Sequence, residues 1–105
     1  MRRYTTPTIT ITVRGETFAD STIYVTLRQG STLITKTNDD IIKTVDGENS
    51  TLYVLYSQEE TGSLAKGTAQ IQIRWINSNG IADATRVKLV QIDPVLMEGV
   101  IFYEP

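Results

Sequence analysis

Side chains that move protons, attack carbon or hold a metal are scarce in this sequence. Histidine and cysteine are both absent from its 105 residues. That removes the commonest general base, the commonest metal ligand and the thiol nucleophile together, and with them most hydrolase templates. Carboxylates, hydroxyls and lysines remain. Glu59 and Glu60 are adjacent, but neighbours on a helical turn do not face each other. Ser57-Gln58-Glu59-Glu60 is instead a capping box, in which the serine hydroxyl accepts from the Glu60 amide while Glu60 reaches back. Asp20 with Ser21, or Ser57 with Lys66, lack the spacing of a nucleophile–base pair. Asn38-Asp39-Asp40 and Asp46-Gly47-Glu48-Asn49 place oxygen-rich loops on either side of one short strand. Calcium takes six to eight oxygens, yet EF-hand spacing is missing, and Asn, Asp and Gly are what turns themselves require. The expectation is a non-enzyme with no catalytic residue, no cofactor and no metal ligand.

The elements that must position any site are strands. Thr, Val and Ile supply roughly a third of the chain, and such β-branched side chains fit a pleated sheet better than a helix. Thr8–Arg14 puts Ile9, Ile11 and Val13 on one face and threonines on the other. Thr22–Arg28 turns Ile23, Val25 and Leu27 inward and Tyr24, Thr26 and Arg28 outward. Period-two patterns of this kind predict half-buried strands. Further runs are predicted at Thr32–Lys36, Asp40–Val45, Ser50–Tyr56, Thr68–Ile76, Ala84–Ile92 and Gly99–Tyr103. Gln29-Gly30-Ser31 and Asp46-Gly47-Glu48-Asn49 are hairpin chemistry between them. Leu52 to Tyr56 are apolar at successive positions, which predicts a strand covered on both faces. The capping box leads into one or two helical turns over Thr61–Lys66, closed by Gly67, with Leu64 pinned to the core. Seven to eight closely spaced strands and one helical turn predict an all-β, immunoglobulin-like antiparallel sandwich, as a single domain over residues 1–105.

Charge and hydropathy exclude further classes. The net charge is −2 and the basic residues are scattered, which argues against a nucleic-acid binder. No window approaches the roughly 20 apolar residues of a membrane helix. Arg2 and Arg3 stand at a terminus expected to be mobile, and no apolar run follows them, so no signal peptide is read.

Surface candidates come from parity. In Ala69–Val90, Ile71, Ile73 and Trp75 share one face and are expected to build the core. Gln70, Gln72 and Arg74 share the other, which is either a plain solvated face or a flat interface with a neighbouring subunit. Tyr24 and Arg28 are outward by the same argument. Phe102 and Tyr103 end an apolar run that is either a last edge strand or a surface for a partner chain. These seven, Tyr24, Arg28, Gln70, Gln72, Arg74, Phe102 and Tyr103, are the candidate interface. A glycan platform is the alternative, and it would need two or three exposed aromatics on one face.

From Leu55-Tyr56-Ser57-Gln58-Glu59-Glu60-Thr61-Gly62 onward the chain resembles small prophage-encoded structural proteins of Gram-positive bacteria. It is similar to the N-terminal domain of phage baseplate upper proteins, an immunoglobulin-like sandwich used in tail-tip assembly. The resemblance runs through Ser57–Glu60, Thr68–Ile76, Asn77–Gly80 and Ala84–Ile92, and covers the first half only by strand rhythm. The baseplate domain is ordinarily followed by a long helical or fibrous region, and this sequence ends at Pro105. A stand-alone relative and a merely shared fold both fit that difference. The resemblance implies a phage or prophage tail or baseplate component, found in the virion or in the bacterial cytoplasm during assembly. Its partners would be other phage structural proteins or copies of itself in a homo-oligomer, without nucleic acid or membrane. No catalytic residue is carried over.

Overall fold

The alternation seen in the sequence becomes a ladder wherever a second strand offers it an edge. The computed structural model describes residues 1–103. The strands are β1 (Thr8–Val13), β2 (Thr22–Gln29), β3 (Thr32–Thr37), β4 (Ile41–Asp46), β5 (Asn49–Leu55), β6 (Gly67–Ile76), β7 (Ala82–Ala84) and β8 (Lys88–Ile92). A 3₁₀ turn at Asn38–Asp40 separates β3 from β4, and one short helix, α1 (Gln58–Gly62), separates β5 from β6. All eight strands pair antiparallel, in two sheets. One has the order β1-β5-β4. The other has the order β3-β2-β6-β7, with β8 on the same edge of β6 as β7.

Two hairpins fix the register. Gln29 pairs with Thr32 and Asp46 with Asn49, so each loop has two central residues. The first of these is Gly30 in one loop and Gly47 in the other, at φ 58° and 63°. Glycine at that position is what turns matched to strand twist demand.

The two sheets share one core. Ile23, Val25 and Leu27 of β2, Leu52 and Val54 of β5, and Ala69, Ile71 and Ile73 of β6 are buried, joined by Phe18, Ile41, Tyr56, Leu64 and Ile92. Each large side chain taken fully out of water contributes about 1.5–3 kcal/mol. Leu64 is 1% exposed, as expected of its pinning role. Trp75 is half-buried and meets Phe18 edge to face, with ring centroids 5.1 Å apart. It covers the end of the core on the face that its parity indicates.

Several expectations need correction. The capping box forms, with the Ser57 hydroxyl accepting from Glu60 N and Glu60 accepting from Ser57 N. The helix, however, occupies Gln58–Gly62, not Thr61–Lys66, and Gly67 opens β6. Ser63 closes the last turn onto Glu59 O and Glu60 O, and the Arg3 guanidinium donates to the carbonyls of Gly62, the last helical residue, and of Leu64 beyond it. That same contact corrects the mobile terminus. Arg3 also pairs with Glu98, Arg2 bridges to Asp93, and Thr5 exchanges two hydrogen bonds with the buried Thr61 hydroxyl. A Cβ at Gly62 would collide with the Tyr4 ring, so glycine is required where the N-terminal segment lies against α1.

β5 is covered on one face only: Leu52, Val54 and Tyr56 are buried, while Leu55 is exposed and Tyr53 half-buried. The strand expected at Ala84–Ile92 is interrupted. Ala84 faces Arg74 and Lys88 faces Ile71, so three residues, Thr85 to Val87, span two on β6. Such an extra residue is a bulge. Thr85 fills it by accepting from Ile73 N through its hydroxyl and donating its own N–H to Ile73 O.

Gly99–Tyr103 forms no ladder. Its hydrogen bonds to the body are with the Gln58 side chain, which both donates to Ile101 O and accepts from Ile101 N. Pro94, which lacks an N–H, lies between β8 and this run, and the run itself opens on Gly99 at φ 107°.

Candidate functional site

β2 and β6 form the middle of the five-stranded sheet, and their register decides what its outer face carries. Tyr24, Thr26 and Arg28 stand directly opposite Arg74, Gln72 and Gln70. β3 extends the three rows with Thr37, Thr35 and Leu33. On the far side Ala84 lies opposite Arg74, and Leu89 lies opposite Gln70. Five of the seven candidate residues therefore form one patch. The rows differ in character. One is Leu33-Arg28-Gln70-Leu89, polar in the middle with leucines 61% and 71% exposed at its ends. The next is built on hydroxyls and an amide, and the last on the Tyr24 ring and the exposed Arg74.

The polar groups of this face are partly held in place. Arg28 Nη2 donates to Gln70 Oε1 at 2.7 Å, and Gln72 Nε2 donates to the Thr85 carbonyl at 2.9 Å. The Thr26 and Thr35 hydroxyls lie 3.3 Å apart. Side chains ordered before contact lose less entropy when a partner arrives. A shallow depression of about 270 Å³ lies among Thr26, Arg28, Leu33, Gln70, Gln72 and Val87. Its chemistry suits recognition: a cation, amides and hydroxyls framed by apolar side chains.

Phe102 and Tyr103 lie elsewhere. They are 82% and 89% exposed and border Tyr4, Thr5, Thr6 and Gln58, beside α1. Trp75 and Tyr24 face opposite ways, because Trp75 pairs with the inward Ile23 and Tyr24 with the outward Arg74.

Of the adjacent carboxylates Glu59 and Glu60, the second is engaged in structure. Glu60 accepts from Lys36 Nζ at 2.7 Å, and Lys36 sits 5.3 Å from the centroid of the Tyr56 ring. Burial alone would raise the Glu60 carboxyl, but the Lys36 and Ser57 hydrogen bonds outweigh it and hold the group below its ordinary value. Burial, helped by the charge of Glu60, pushes the Tyr56 phenol up to about 12. Asn38 of the acidic loop donates to Ser21 O and accepts from Ile23 N, and Asn49 accepts from Gly15 N. Among the described residues no three His, Cys, Asp or Glu side chains converge as a metal site would need, and no helix is long and apolar enough to cross a membrane.

Sequence reasoning missed Leu33 and Leu89 as part of the face, although their parity with Arg28 and Gln70 carried the signal once strand pairing was known. It also missed Phe18, a loop residue at φ 55° that is 1% exposed. No periodicity marks such a position. Comparison with known protein families, curated proteins and solved structures finds no match to this chain.

Proposed function

We propose that this chain is a non-enzymatic structural component of a phage or prophage particle, of the tail or baseplate kind, working through protein–protein contacts. The observation that carries this is the outer face of the five-stranded sheet. There Tyr24, Arg28, Gln70, Gln72 and Arg74 form one ordered patch rimmed by exposed leucines. Aromatic and Arg anchors inside an apolar frame are what protein interfaces favour. The partner is another particle protein or a further copy of the chain, since such assemblies are built on rotational symmetry.

The topology supports the immunoglobulin-like part of this reading. Immunoglobulin sheets run A-B-E-D against C-F-G, with C′ added beside C in some members. In this reading β1-β5-β4 would correspond to B-E-D, and β3-β2-β6 with β7 and β8 to C′-C-F-G. α1 then lies at the E–F connection. The position of strand A, beside β1, is empty among the described residues.

A glycan platform on the sheet face, around Tyr24 or Trp75, would need a second exposed ring beside Tyr24, and Trp75 instead turns in against Phe18. The structural reading is therefore preferred. Immunoblotting of gradient-purified particles from induced host cells tests it. The chain should sediment with the particles, and Tyr24→Ala with Arg74→Glu should reduce its incorporation. A chain that stays at the top of the gradient overturns the proposal.

A further inference from the structure

Among the described residues the two sheets have four lateral strand edges, and three of them are blunted. β3 points Lys36 inward, where it is taken up by Glu60. β4 points Lys43 inward, opposite Leu52, where it donates to the Phe18 carbonyl. The edge formed by β7 and β8 carries the Thr85 bulge, and Met1–Arg3 bonds to Gln91 and Asp93 along it. Inward charges, bulges and covering segments are the usual ways in which proteins prevent strand addition. β1 has none of them. It reads Thr-Ile-Thr-Ile-Thr-Val, and it pairs only with β5 among the described residues.

The ladder shows which groups that edge offers. Tyr56 N donates to Pro7 O at 3.1 Å, so Pro7 and Tyr56 are a hydrogen-bonded pair. Alternation along an antiparallel ladder then turns Ile9, Ile11 and Val13 toward β5 and leaves the N–H and C=O of Thr8, Thr10 and Thr12 facing outward. The inward side chains of β1 are only half-buried. Beside them an apolar cleft of about 250 Å³ opens toward β6, floored by Ile11, Val13, Ile71 and Ile73. Its rim is cationic, with Arg14, Arg86 and Lys88 and no carboxylate.

The same chain carries a segment of complementary kind. Gly99–Tyr103 is strand-like in sequence but outside any ladder. Ile101, Phe102 and Tyr103 are exposed, and the run is bracketed in sequence by Glu98 and Glu104. Its length suits the six residues of β1. Apolar side chains meet an apolar floor, and Glu98, exchanging Arg3 of its own molecule for the cationic rim, meets charge of opposite sign. In its own molecule the run lies by Tyr4–Thr6 and Gln58, whereas the cleft lies at Ile11–Arg14.

We propose that β1 is the acceptor edge for the Gly99–Tyr103 run of a second copy of this chain, which adds to the sheet as a strand and covers the cleft. Main-chain bonds to Thr8, Thr10 and Thr12 supply the attachment, and the cleft selects the side chains. The inference rests on ladder and cleft geometry, not on the virion role or the outer face, so the two proposals fail separately.

Light scattering across a concentration series tests it with the full chain. The wild type should associate as concentration rises. Thr10→Pro removes one outward N–H without touching the β5 ladder. It should raise the concentration for half-association roughly tenfold or more while keeping a cooperative thermal transition. Thr10→Val, which keeps the N–H, should associate as the wild type does. Ile101→Ser with Phe102→Ser should block the donor side to the same degree. Mixing this variant with Thr10→Pro restores one intact edge and one intact tail, so a one-to-one heterodimer should form although neither variant self-associates. Tyr24→Ala should leave all of this unchanged. A wild type that stays monomeric throughout overturns the proposal, as does a Thr10→Pro variant that associates like the wild type or a mixture that yields no heterodimer.

Discussion

β1 and β4 flank the same strand, have the same length and pair with β5 in the same antiparallel sense, yet they end the sheet differently. On β4, Ile41 is buried against Val54, but the next inward position is Lys43 and the one after is the exposed Val45. The apolar surface of β4 stops where the lysine begins. On β1 all three inward positions are aliphatic and all three are half-buried. One edge is therefore closed by a charge and the other is left as continuous apolar surface. The same central strand can thus carry a finished edge and an unfinished one, and a single inward residue makes the difference.

The largest test of this contrast sets the centre of the sheet against its open edge. Leu52 on β5 and Ile11 on β1 are direct partners, but Leu52 is 0% exposed and Ile11 is half-buried. Leu52→Ala should cost about 3–4 kcal/mol, within the range for fully buried leucines. Ile11→Ala should cost only about 1–2 kcal/mol, because part of its surface already meets water in the monomer. Chemical denaturation of both variants, followed by tryptophan fluorescence, measures the two losses. Equal losses would mean that β1 is as buried as β5, and the contrast would be gone.

How far this was legible from residues alone depends on the range of each interaction. The inward sets of β1 and β2, the outward set of β6 and the capping box are local, so parity and spacing reach them. Lys36 and Lys43 have the wrong chemistry for their parity, and only the register with Val25 and Leu52 shows that they point inward. Arg3 acts on Gly62, Leu64 and Glu98, far away in the chain, so no window could reveal that the N-terminal segment is tied down. The run at Gly99–Tyr103 was expected to be a strand because its composition suits one. A strand also needs an edge, and composition does not say whether one is within reach.

The second test moves to the end of β5, where Tyr56 lies beneath Lys36, the charge that blunts β3. Its hydroxyl is buried without a hydrogen-bond partner, and Glu60 adds its negative charge nearby. The phenol ionises at about 12 in the fold and at 10.0 when unperturbed. The unfolded chain therefore releases its proton first. The contribution of Tyr56 is complete below pH 10 and is lost as pH rises from 10 toward 12, by roughly 2–3 kcal/mol. Tyr56→Phe should remove this alkaline loss and change stability at neutral pH by less than about 1 kcal/mol, since no bond is broken. Stability curves of the two proteins that stay parallel between pH 9 and about 12 would contradict the buried, unpartnered phenol.

The smallest effect on stability belongs to the residue that defines the contrast. Lys43 is exposed along β4, and its ammonium donates to Phe18 O at 3.1 Å. Lys43→Ile removes that part-buried bond from a charged donor at a cost of about 1.5–2 kcal/mol, held to the low end because Ser21 N still donates to the Phe18 carbonyl. The isoleucine offsets part of this by extending the apolar row from Ile41 toward Val45, so the thermal midpoint should fall only a little. What should move is association. The variant gives β4 the pattern that β1 already has, with aliphatic side chains at every inward position and nothing to repel an added strand. It should associate more strongly than the wild type, and Thr10→Pro should no longer suppress this association. If Lys43→Ile leaves the mass profile unchanged, an inward lysine is not what separates the two edges. The openness of β1 would then have to rest on the cleft beside it rather than on its lack of charge.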